Sequence, residues 1–369
     1  SRAGSMAAPA LARSRPPPPS PPPSPALAAL PLVVKEIIAG GAAGATAKSC
    51  VAPLERVKIL FQTGRLAGAS TGASLASIAR TEGLPGLFRG NGASVARIVP
   101  YSALHFGAYE RYRSACVRRL ALNPASVPPA VDLVAGAAAG ATAVVATYPL
   151  DLARTRLAYA TEGGVGGSTP APGGARPRRP HLPRATIRST LAATLAADGP
   201  AGLYRGLGPT LAGILPYAGL KFYVYQAAKH SHAASAAAAA AAEGSGGAPP
   251  PPRRPPILLT LAYGAGAGLI AQTVTYPLDV VRRQMQVQGL PGGAAGPAAT
   301  AAALPGGAGP ASIRYSSTLD GLRRVRAAGG WRALFAGVSI NYMKVVPSTA
   351  IGFTVYDGLK GAMGLPHNL

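Results

Sequence analysis

Six long apolar segments alternate with polar stretches along the chain. They lie near residues 35–62, 88–113, 131–158, 202–229, 257–287 and 334–361. Each is long enough for a helix to cross the hydrocarbon core of a membrane, which takes about 20 residues. Most contain a proline, which is unfavourable inside a helix of a soluble protein but is tolerated where neighbouring membrane helices satisfy the backbone. The pattern predicts an all-α membrane protein with six transmembrane helices.

The first, third and fifth segments share a pair of glycines spaced by one helical turn. The pairs are Gly40 with Gly44, Gly136 with Gly140, and Gly264 with Gly268. Small residues at this spacing allow membrane helices to approach closely. We therefore expect close helix contacts at these positions.

The six segments also form three similar pairs. In the second, fourth and sixth segments, a glycine stands ten residues before a proline and a tyrosine stands nine residues after it; the prolines are Pro100, Pro216 and Pro347. The other three segments contain the similar stretches APLERVKIL, YPLDLARTRL and YPLDVVRRQM. Such repetition predicts three pseudosymmetric structural repeats.

Low-complexity segments separate or lengthen these repeats. The proline-rich stretch 1–31 cannot bury enough surface to fold and is predicted to be a disordered extension. Glycine- and proline-rich stretches at about 161–183 and 289–312 are predicted loops. We assign 32–120, 121–230 and 257–361 to the repeats, 231–256 to a low-complexity linker and 362–369 to a C-terminal tail.

Positive charge is in large excess, with 36 Lys and Arg residues against 12 Asp and Glu residues. This excess indicates an anionic partner. Nucleic-acid-binding proteins usually carry dense basic patches, whereas many cations here stand singly between apolar stretches, so the pattern favours a membrane protein with an anionic solute. The two cysteines and five histidines form no metal-binding pattern, and we expect neither a metal nor a cofactor.

A motif with an acid and a base three residues apart, P-x-[DE]-x-x-[KR], occurs once in each repeat. Its residues are Pro53, Glu55 and Lys58; Pro149, Asp151 and Arg154; and Pro277, Asp279 and Arg282. With three copies, the chain resembles the mitochondrial carrier family over about residues 33–361. A charge inside a membrane span is unfavourable unless it is paired or faces a water-filled cavity. Acids and bases at one depth therefore predict pairing between helices around a central cavity.

The resemblance implies that these residues form a gate at the matrix end. The expected pairs are Glu55 with Arg154, Asp151 with Arg282, and Asp279 with Lys58. Pro53, Pro149 and Pro277 would kink the helices so that they converge at the gate. A bracing side chain is expected two residues beyond the base, at Arg156 and Gln284, whereas the equivalent Leu60 cannot brace.

A second motif, [FY]-[DE]-x-x-[KR], implies a gate at the cytoplasmic end. The expected pairs are Glu110 with Lys229, Gln226 with Lys360, and Asp357 with Arg113. Gln226 stands where the family has an acid, so we expect this gate to be the weaker one. Two gates around one site predict alternating access.

Substrate contacts are expected three residues before the prolines of the even-numbered segments, at Arg97, Gly213 and Lys344. By resemblance, the two cations would bind phosphates, and the surface of Gly213 and Ile214 would accept an adenine ring. Lys48 lies two helical turns before the acid of the first repeat and is a third candidate cation.

Several stretches, including RGNGASVARIVPYSALHF and SINYMKVVPSTAIGFTVYD, resemble the plant-type mitochondrial coenzyme A carriers. This resemblance implies transport of coenzyme A across the mitochondrial inner membrane, in exchange for an adenine nucleotide or adenosine 3',5'-bisphosphate. The nearest alternative is an ADP/ATP or ATP-magnesium carrier, because adenine-nucleotide carriers share many of these residues. A non-transporting membrane scaffold and a soluble nucleic-acid binder are further alternatives.

The expected partners are a small anionic solute and membrane lipid, with cardiolipin as a candidate, and no nucleic acid. We expect a monomeric, multi-pass protein. The sequence shows no nucleophile with an adjacent base and no phosphate-binding glycine loop, so we expect a transporter and not an enzyme.

Overall fold

The computed structural model describes residues 32–66, 69–121, 123, 127–160, 185–242, 256–290 and 315–363. The predicted extension at 1–31 and the predicted loop at 161–183 lie outside these residues. So do nearly all of the predicted loop at 289–312 and of the tail at 362–369.

Helices form most of the described chain. Six long helices correspond to the predicted spans: α1 (Leu32–Gln62), α3 (Asn91–Arg119), α4 (Pro129–Tyr159), α6 (Leu207–Ala242), α7 (Ile257–Val287) and α9 (Val338–Ala362). Three shorter helices precede α3, α6 and α9: α2 (Thr71–Leu87), α5 (Ile187–Gly202) and α8 (Thr318–Leu334). Each shorter helix begins at a hydroxyl side chain that caps its first turn.

Within the described residues, two helices are apolar and long enough to cross a membrane by length and composition alone. They are the stretch Val34–Gln62 of α1 and the whole of α4. Hydropathy therefore identifies only part of the membrane region. In the part of the chain that the structure describes, the other four predicted spans do not meet this criterion, and the repetition of the motifs supports them.

The six long helices form a closed bundle. Helix α3 packs most extensively on α4, α6 on α7, and α9 on α1. The last of these contacts joins the third repeat to the first. Helices α1, α4 and α7 also contact one another, and these contacts bring the three acid and base motifs together. Each of the six helices continues through its internal proline.

A left-handed glycine connects each shorter helix to the long helix that follows. Gly90 stands before α3 with φ of 82° and Gly206 stands before α6 with φ of 82°. A Cβ atom at Gly90 would lie 2.6 Å from the carbonyl oxygen of Arg154, and one at Gly206 would lie 2.9 Å from that of Arg282. Glycine is therefore required here, because any side chain would push the start of α3 or α6 away from the motif of the next repeat.

The glycine pairs of α1, α4 and α7 do not make the close helix contacts that we expected. A Cβ atom at Gly40, Gly264 or Gly268 would have no neighbour within 4 Å. The nearest neighbour at any of the six positions is Ile98, 3.5 Å from a Cβ atom built at Gly44. Gly40, Gly264 and Gly268 therefore leave open space in this conformation, and an added Cβ atom at the other three would make ordinary contacts.

Helix α6 extends to Ala242, well into the predicted linker at 231–256. The prediction was wrong for residues 231–242, whose sequence is SHAASAAAAAAA. Alanine is the strongest helix former because it loses no side-chain entropy in a helix. The low complexity of the tract therefore favours continuation of α6.

Candidate substrate cavity and gates

Three ion pairs join α1, α4 and α7 at one level of the bundle. Arg154 pairs with Glu55, Arg282 lies 2.5 Å from Asp151, and Lys58 lies 2.8 Å from Asp279. These six side chains are at most 18% exposed. In each pair the acid of one repeat meets the base of the next repeat, and the third repeat meets the first, as the resemblance implied. We call the three pairs the links and the six residues together the ring.

A glutamine and a tyrosine support the link between Asp151 and Arg282. The amide of Gln286 donates a hydrogen bond of 2.8 Å to Asp151 and one of 3.1 Å to the hydroxyl of Tyr148. Gln286 follows Arg282 by four residues, so both side chains lie on the same face of α7. The sequence analysis did not include either supporting residue.

The link between Asp279 and Lys58 has the same support. The amide of Gln62 donates to Asp279 at 3.0 Å and to the hydroxyl of Tyr276 at 3.2 Å. Lys58 also donates to the side chain of Asn341 at 3.1 Å. We refer to this link and the previous one as the braced links, and to the glutamines as their braces.

The third link, between Glu55 and Arg154, has alanines at the equivalent positions. Ala158 follows Arg154 by four residues, and Ala52 stands where the other repeats have the tyrosine. A cavity of about 10 Å³ lies among these four side chains. This is the unbraced link.

The braces predicted at Gln284 and Arg156 do not contact the ring. Gln284 donates to the carbonyl oxygen of Gln62 at 3.2 Å and accepts a hydrogen bond of 2.5 Å from the hydroxyl of Tyr315. Burial raises the pKa of Tyr315 to about 12, which keeps this donor protonated. Arg156 donates to the carbonyl oxygen of Gln286 at 3.1 Å. The prediction failed because two residues rotate a side chain by about 200° around a helix, whereas four bring it back to the same face.

Arg97 and Lys344, the predicted phosphate-binding cations, each contact an acid of the ring. Arg97 lies 2.9 Å from Asp151, and Lys344 lies 3.2 Å from Glu55. Their side chains are 25% and 22% exposed, so both remain accessible. Each takes the carboxylate oxygen that the ring base does not use. The substrate site and the ring therefore share charges, which the sequence analysis did not predict.

Lys48 is the cation of this region that has no counterion. It makes no ion pair and no hydrogen bond within the described residues. The positive charges of Arg97, Arg154 and Lys344 act on it, and so does the carboxylate of Asp151. A partly buried amine among other cations is a candidate anion-binding group.

Gly213 and Ile214 line a cavity of about 230 Å³ between α6 and α7. Its wall also includes Tyr217 and, at the ring, Asp279 and Arg282. The absence of a side chain at Gly213 leaves this surface flat; a Cβ atom there would lie 3.7 Å from Leu278. A second cavity of about 380 Å³ adjoins the first through shared wall residues, including Ile214 and Tyr217.

The three pairs expected at the cytoplasmic end are not formed in this conformation. Among the described residues, no ion pair links Glu110 to Lys229 or Asp357 to Arg113, and Gln226 makes no hydrogen bond to Lys360. Arg113 pairs instead with Asp132 at 2.7 Å. Lys229 and Lys360 lie over tyrosine rings one turn earlier on their own helices. The ring is closed while the opposite set of charges is apart.

Comparison with known proteins agrees with this architecture. The sequence model described as mitochondrial carrier protein matches residues 31–120, 125–235 and 253–365. The chain belongs to the mitochondrial carrier family. This confirms the predicted three-repeat, all-helical membrane fold, and it makes the carrier a multi-pass protein of the mitochondrial inner membrane.

Three relatives illustrate the similarity. The carrier is 46% identical over 346 residues to mitochondrial carrier protein CoAc1 of Arabidopsis thaliana, covering 91% of this chain and 92% of that one. It is 36% identical over 340 residues to the mitochondrial adenine nucleotide transporter ADNT1 of Arabidopsis thaliana, covering 90% and 88%. It is 34% identical over 328 residues to the mitochondrial coenzyme A transporter SLC25A42 of Rattus norvegicus, covering 88% and 86%.

Proposed function

We propose that the carrier exchanges coenzyme A for an adenine nucleotide or adenosine 3',5'-bisphosphate across the mitochondrial inner membrane. The main support is the surplus of positive charge where the cavity meets the ring. The cations are Lys48, Lys58, Arg97, Arg154, Arg282, Arg283 and Lys344, and the acids are Glu55, Asp151 and Asp279. The name of the rat relative, a coenzyme A transporter, supports the same proposal.

The charges suit a substrate with several phosphate groups. Coenzyme A carries about four negative charges at neutral pH, of which about two lie on the 3'-phosphate, a monoester. The surplus of cations at the ring can neutralise a charge of this size. Arg97 offers a planar fork that matches phosphate oxygens, and Lys344 offers a mobile point charge. The flat wall at Gly213 and Ile214 would accept the adenine ring.

Binding would weaken the ring through Arg97 and Lys344. Each of these cations neutralises a ring acid when the site is empty, and each would turn to a substrate phosphate when the site is filled. Asp151 and Glu55 would then retain fewer positive partners. A substrate changes a conformational equilibrium only through contacts that differ between the two states, and this exchange of partners supplies such a difference.

Opening of the ring would be accompanied by closure at the cytoplasmic end. Glu110 would then meet Lys229, and Asp357 would meet Arg113 after Arg113 leaves Asp132. The remaining pair contains Gln226, whose neutral amide gives a weaker attraction than a carboxylate. Alternating access around the central site would follow from these two mutually exclusive closures.

Uptake into liposomes tests the proposed function. The purified carrier is reconstituted in liposomes preloaded with coenzyme A, with ADP or with buffer, and uptake of labelled coenzyme A is measured. We expect uptake that requires an internal substrate and that is lost when Arg97→Ala and Lys344→Ala are combined. Arg188→Ala, which removes an exposed cation of α5, serves as the control and retains uptake.

Adenine-nucleotide transport is the alternative function, and the similarity to an adenine nucleotide transporter favours testing it directly. Uptake of ADP or ATP without uptake of coenzyme A would favour this alternative. We further propose that the carrier works as a monomer in contact with membrane lipid, with cardiolipin as the candidate. Native mass spectrometry from lipid-containing detergent would measure both properties.

A further inference from the structure

The cavity of about 380 Å³ lies between α3, α4 and α6, on the cytoplasmic side of the ring. None of its lining residues belongs to the ring or to the cations around it. Its wall is mostly apolar, with a few polar side chains. The lining includes Tyr101, His105, Asp132, Gly140, Ile214 and Tyr217.

A series of stacked side chains on α3 leads from the phosphate-binding region into this cavity. The guanidinium carbon of Arg97 lies 5.1 Å from the centre of the Tyr101 ring. The Tyr101 ring is in turn stacked on His105 at a centroid distance of 5.9 Å. A substrate whose phosphates meet Arg97 would therefore have its next atoms placed beside Tyr101.

On this basis, and resting on the proposed function, we propose that the cavity binds the pantetheine arm of coenzyme A. The wall formed by α4 runs from Asp132 to Val144, which is about 18 Å of helix at 1.5 Å per residue. The arm has a main chain as long as about four extended residues, and it therefore spans about 14 Å. The cavity has the length that the arm needs.

The chemistry of the wall also suits an uncharged, partly polar chain. The arm carries two amides, one hydroxyl and a dimethyl group, and it has no charge. Tyr101, Tyr217 and His105 can exchange hydrogen bonds with amides and a hydroxyl, while Leu133 and Ala137 offer an apolar surface. The acid of the lining, Asp132, already pairs with Arg113 at 2.7 Å. A phosphate would find no free cation in this lining.

Gly140 keeps this cavity open. A Cβ atom at Gly140 would lie 3.9 Å from His105 and 4.0 Å from Ile214, both ordinary contact distances. A small side chain there would therefore fit without moving the backbone, and it would occupy space that the arm needs. Adenosine 3',5'-bisphosphate shares the adenosine and phosphates of coenzyme A but lacks the arm, so its binding would not need this space.

The experiment compares uptake of labelled coenzyme A with uptake of labelled adenosine 3',5'-bisphosphate by the full chain in liposomes. The variant is Gly140→Val, which fills the cavity. The matched control is Gly268→Val at the equivalent position of the third repeat, where an added Cβ atom has no neighbour within 4 Å. Gly140→Ala is a milder version of the first variant.

We expect Gly140→Val to reduce coenzyme A uptake at least about tenfold, the lower end for excess methylenes in an apolar pocket, and to leave bisphosphate uptake unchanged. Gly268→Val leaves the ratio of the two rates at the wild-type value. If Gly140→Val lowers the melting temperature and both uptake rates, the same comparison is made with Gly140→Ala. A loss of coenzyme A uptake alone in Gly140→Ala supports the proposal.

Two results would overturn the proposal while leaving coenzyme A transport intact in the wild type. One is an unchanged coenzyme A rate in Gly140→Val. The other is an equal loss of both substrates in Gly140→Val and Gly140→Ala. A wild-type carrier that takes up the bisphosphate but not coenzyme A would instead reject the proposed function itself, and with it a site for the arm.

Discussion

The braced link between Asp151 and Arg282 and the unbraced link between Glu55 and Arg154 are built from the same motif but supported differently. Each acid also contacts a second cation, which is Arg97 of α3 for Asp151 and Lys344 of α9 for Glu55. The acid of the braced link receives a further hydrogen bond from Gln286. The unbraced link has a small cavity in place of that side chain.

This difference indicates that the three links of the ring are not equally stabilised. A buried ion pair is held in position by the hydrogen bonds to its remaining donors and acceptors. The unbraced link has the hydrogen bond from Lys344 to Glu55 but, among the described residues, none from a glutamine, and a small cavity lies beside it. We infer that α1 and α4 separate more readily than the other pairs of ring helices when the matrix end opens.

The largest difference between the two kinds of link is expected when the acid is neutralised. In Asp151→Asn, Arg97, Arg282 and Arg283 lose their shared counterion, because all three lie within 3.5 Å of Asp151. Removing one partner from a buried ion pair destabilises by about 3–5 kcal/mol. We expect a loss of this order, measured as the free energy of unfolding in detergent, together with loss of uptake.

Glu55→Gln is the matched change in the unbraced link. Glu55 has two cationic partners, Arg154 and Lys344, so the loss of stability should be smaller than for Asp151→Asn. Equal losses in the two variants would show that the braces and additional cations do not distinguish the links.

Removal of a brace should have an intermediate effect. Gln286→Ala and Gln62→Ala each remove hydrogen bonds to a ring acid and a tyrosine. The expected loss is about 1–3 kcal/mol for buried groups left without partners. Because the closed ring is weakened, we also expect faster exchange in the uptake assay.

Gln284→Ala is the control for the brace variants. This buried glutamine makes hydrogen bonds to the backbone of Gln62 and to Tyr315 but not to the ring. It should lower the melting temperature without changing the exchange rate. A faster exchange in Gln284→Ala, with none in Gln286→Ala, would contradict the assignment of the braces.

Addition of a brace to the unbraced link should have the smallest effect. Ala158→Gln places an amide next to the cavity of about 10 Å³ beside Glu55 and Arg154. A new hydrogen bond to Glu55 would add about 1 kcal/mol at most. We expect a slightly higher melting temperature and slower exchange. A lower melting temperature would mean that the larger side chain does not fit.

The sequence was sufficient to predict the ring because the motif occurs three times at one depth. Repetition predicts that the acids and bases pair at one depth, the resemblance to the carrier family implies which acid meets which base, and the structure brings these pairs together. The same repetition shows an equivalent glycine in each repeat, including Gly90 and Gly206. The need for glycine at these points follows from carbonyl oxygens of neighbouring helices, which the sequence does not locate.

Other features depend on distances between helices or on the choice of helical face. The contacts of Arg97 with Asp151 and of Lys344 with Glu55 join residues far apart in sequence, so no pattern along the chain predicts them. The braces could have been found: a side chain four residues after each base returns to the same face, and Gln286 stands at such a position.

The most direct test of the ring is a charge exchange in the link between Lys58 and Asp279. The neighbouring side chains Gln62 and Asn341 are amides, which can both donate and accept hydrogen bonds. Lys58→Asp and Asp279→Lys are each measured alone and together for coenzyme A uptake, with the melting temperature recorded for each protein. We predict that each single variant loses uptake and that the double variant recovers part of it. A folded double variant as inactive as the single ones, or single variants with full uptake, would contradict a gate closed by this pair.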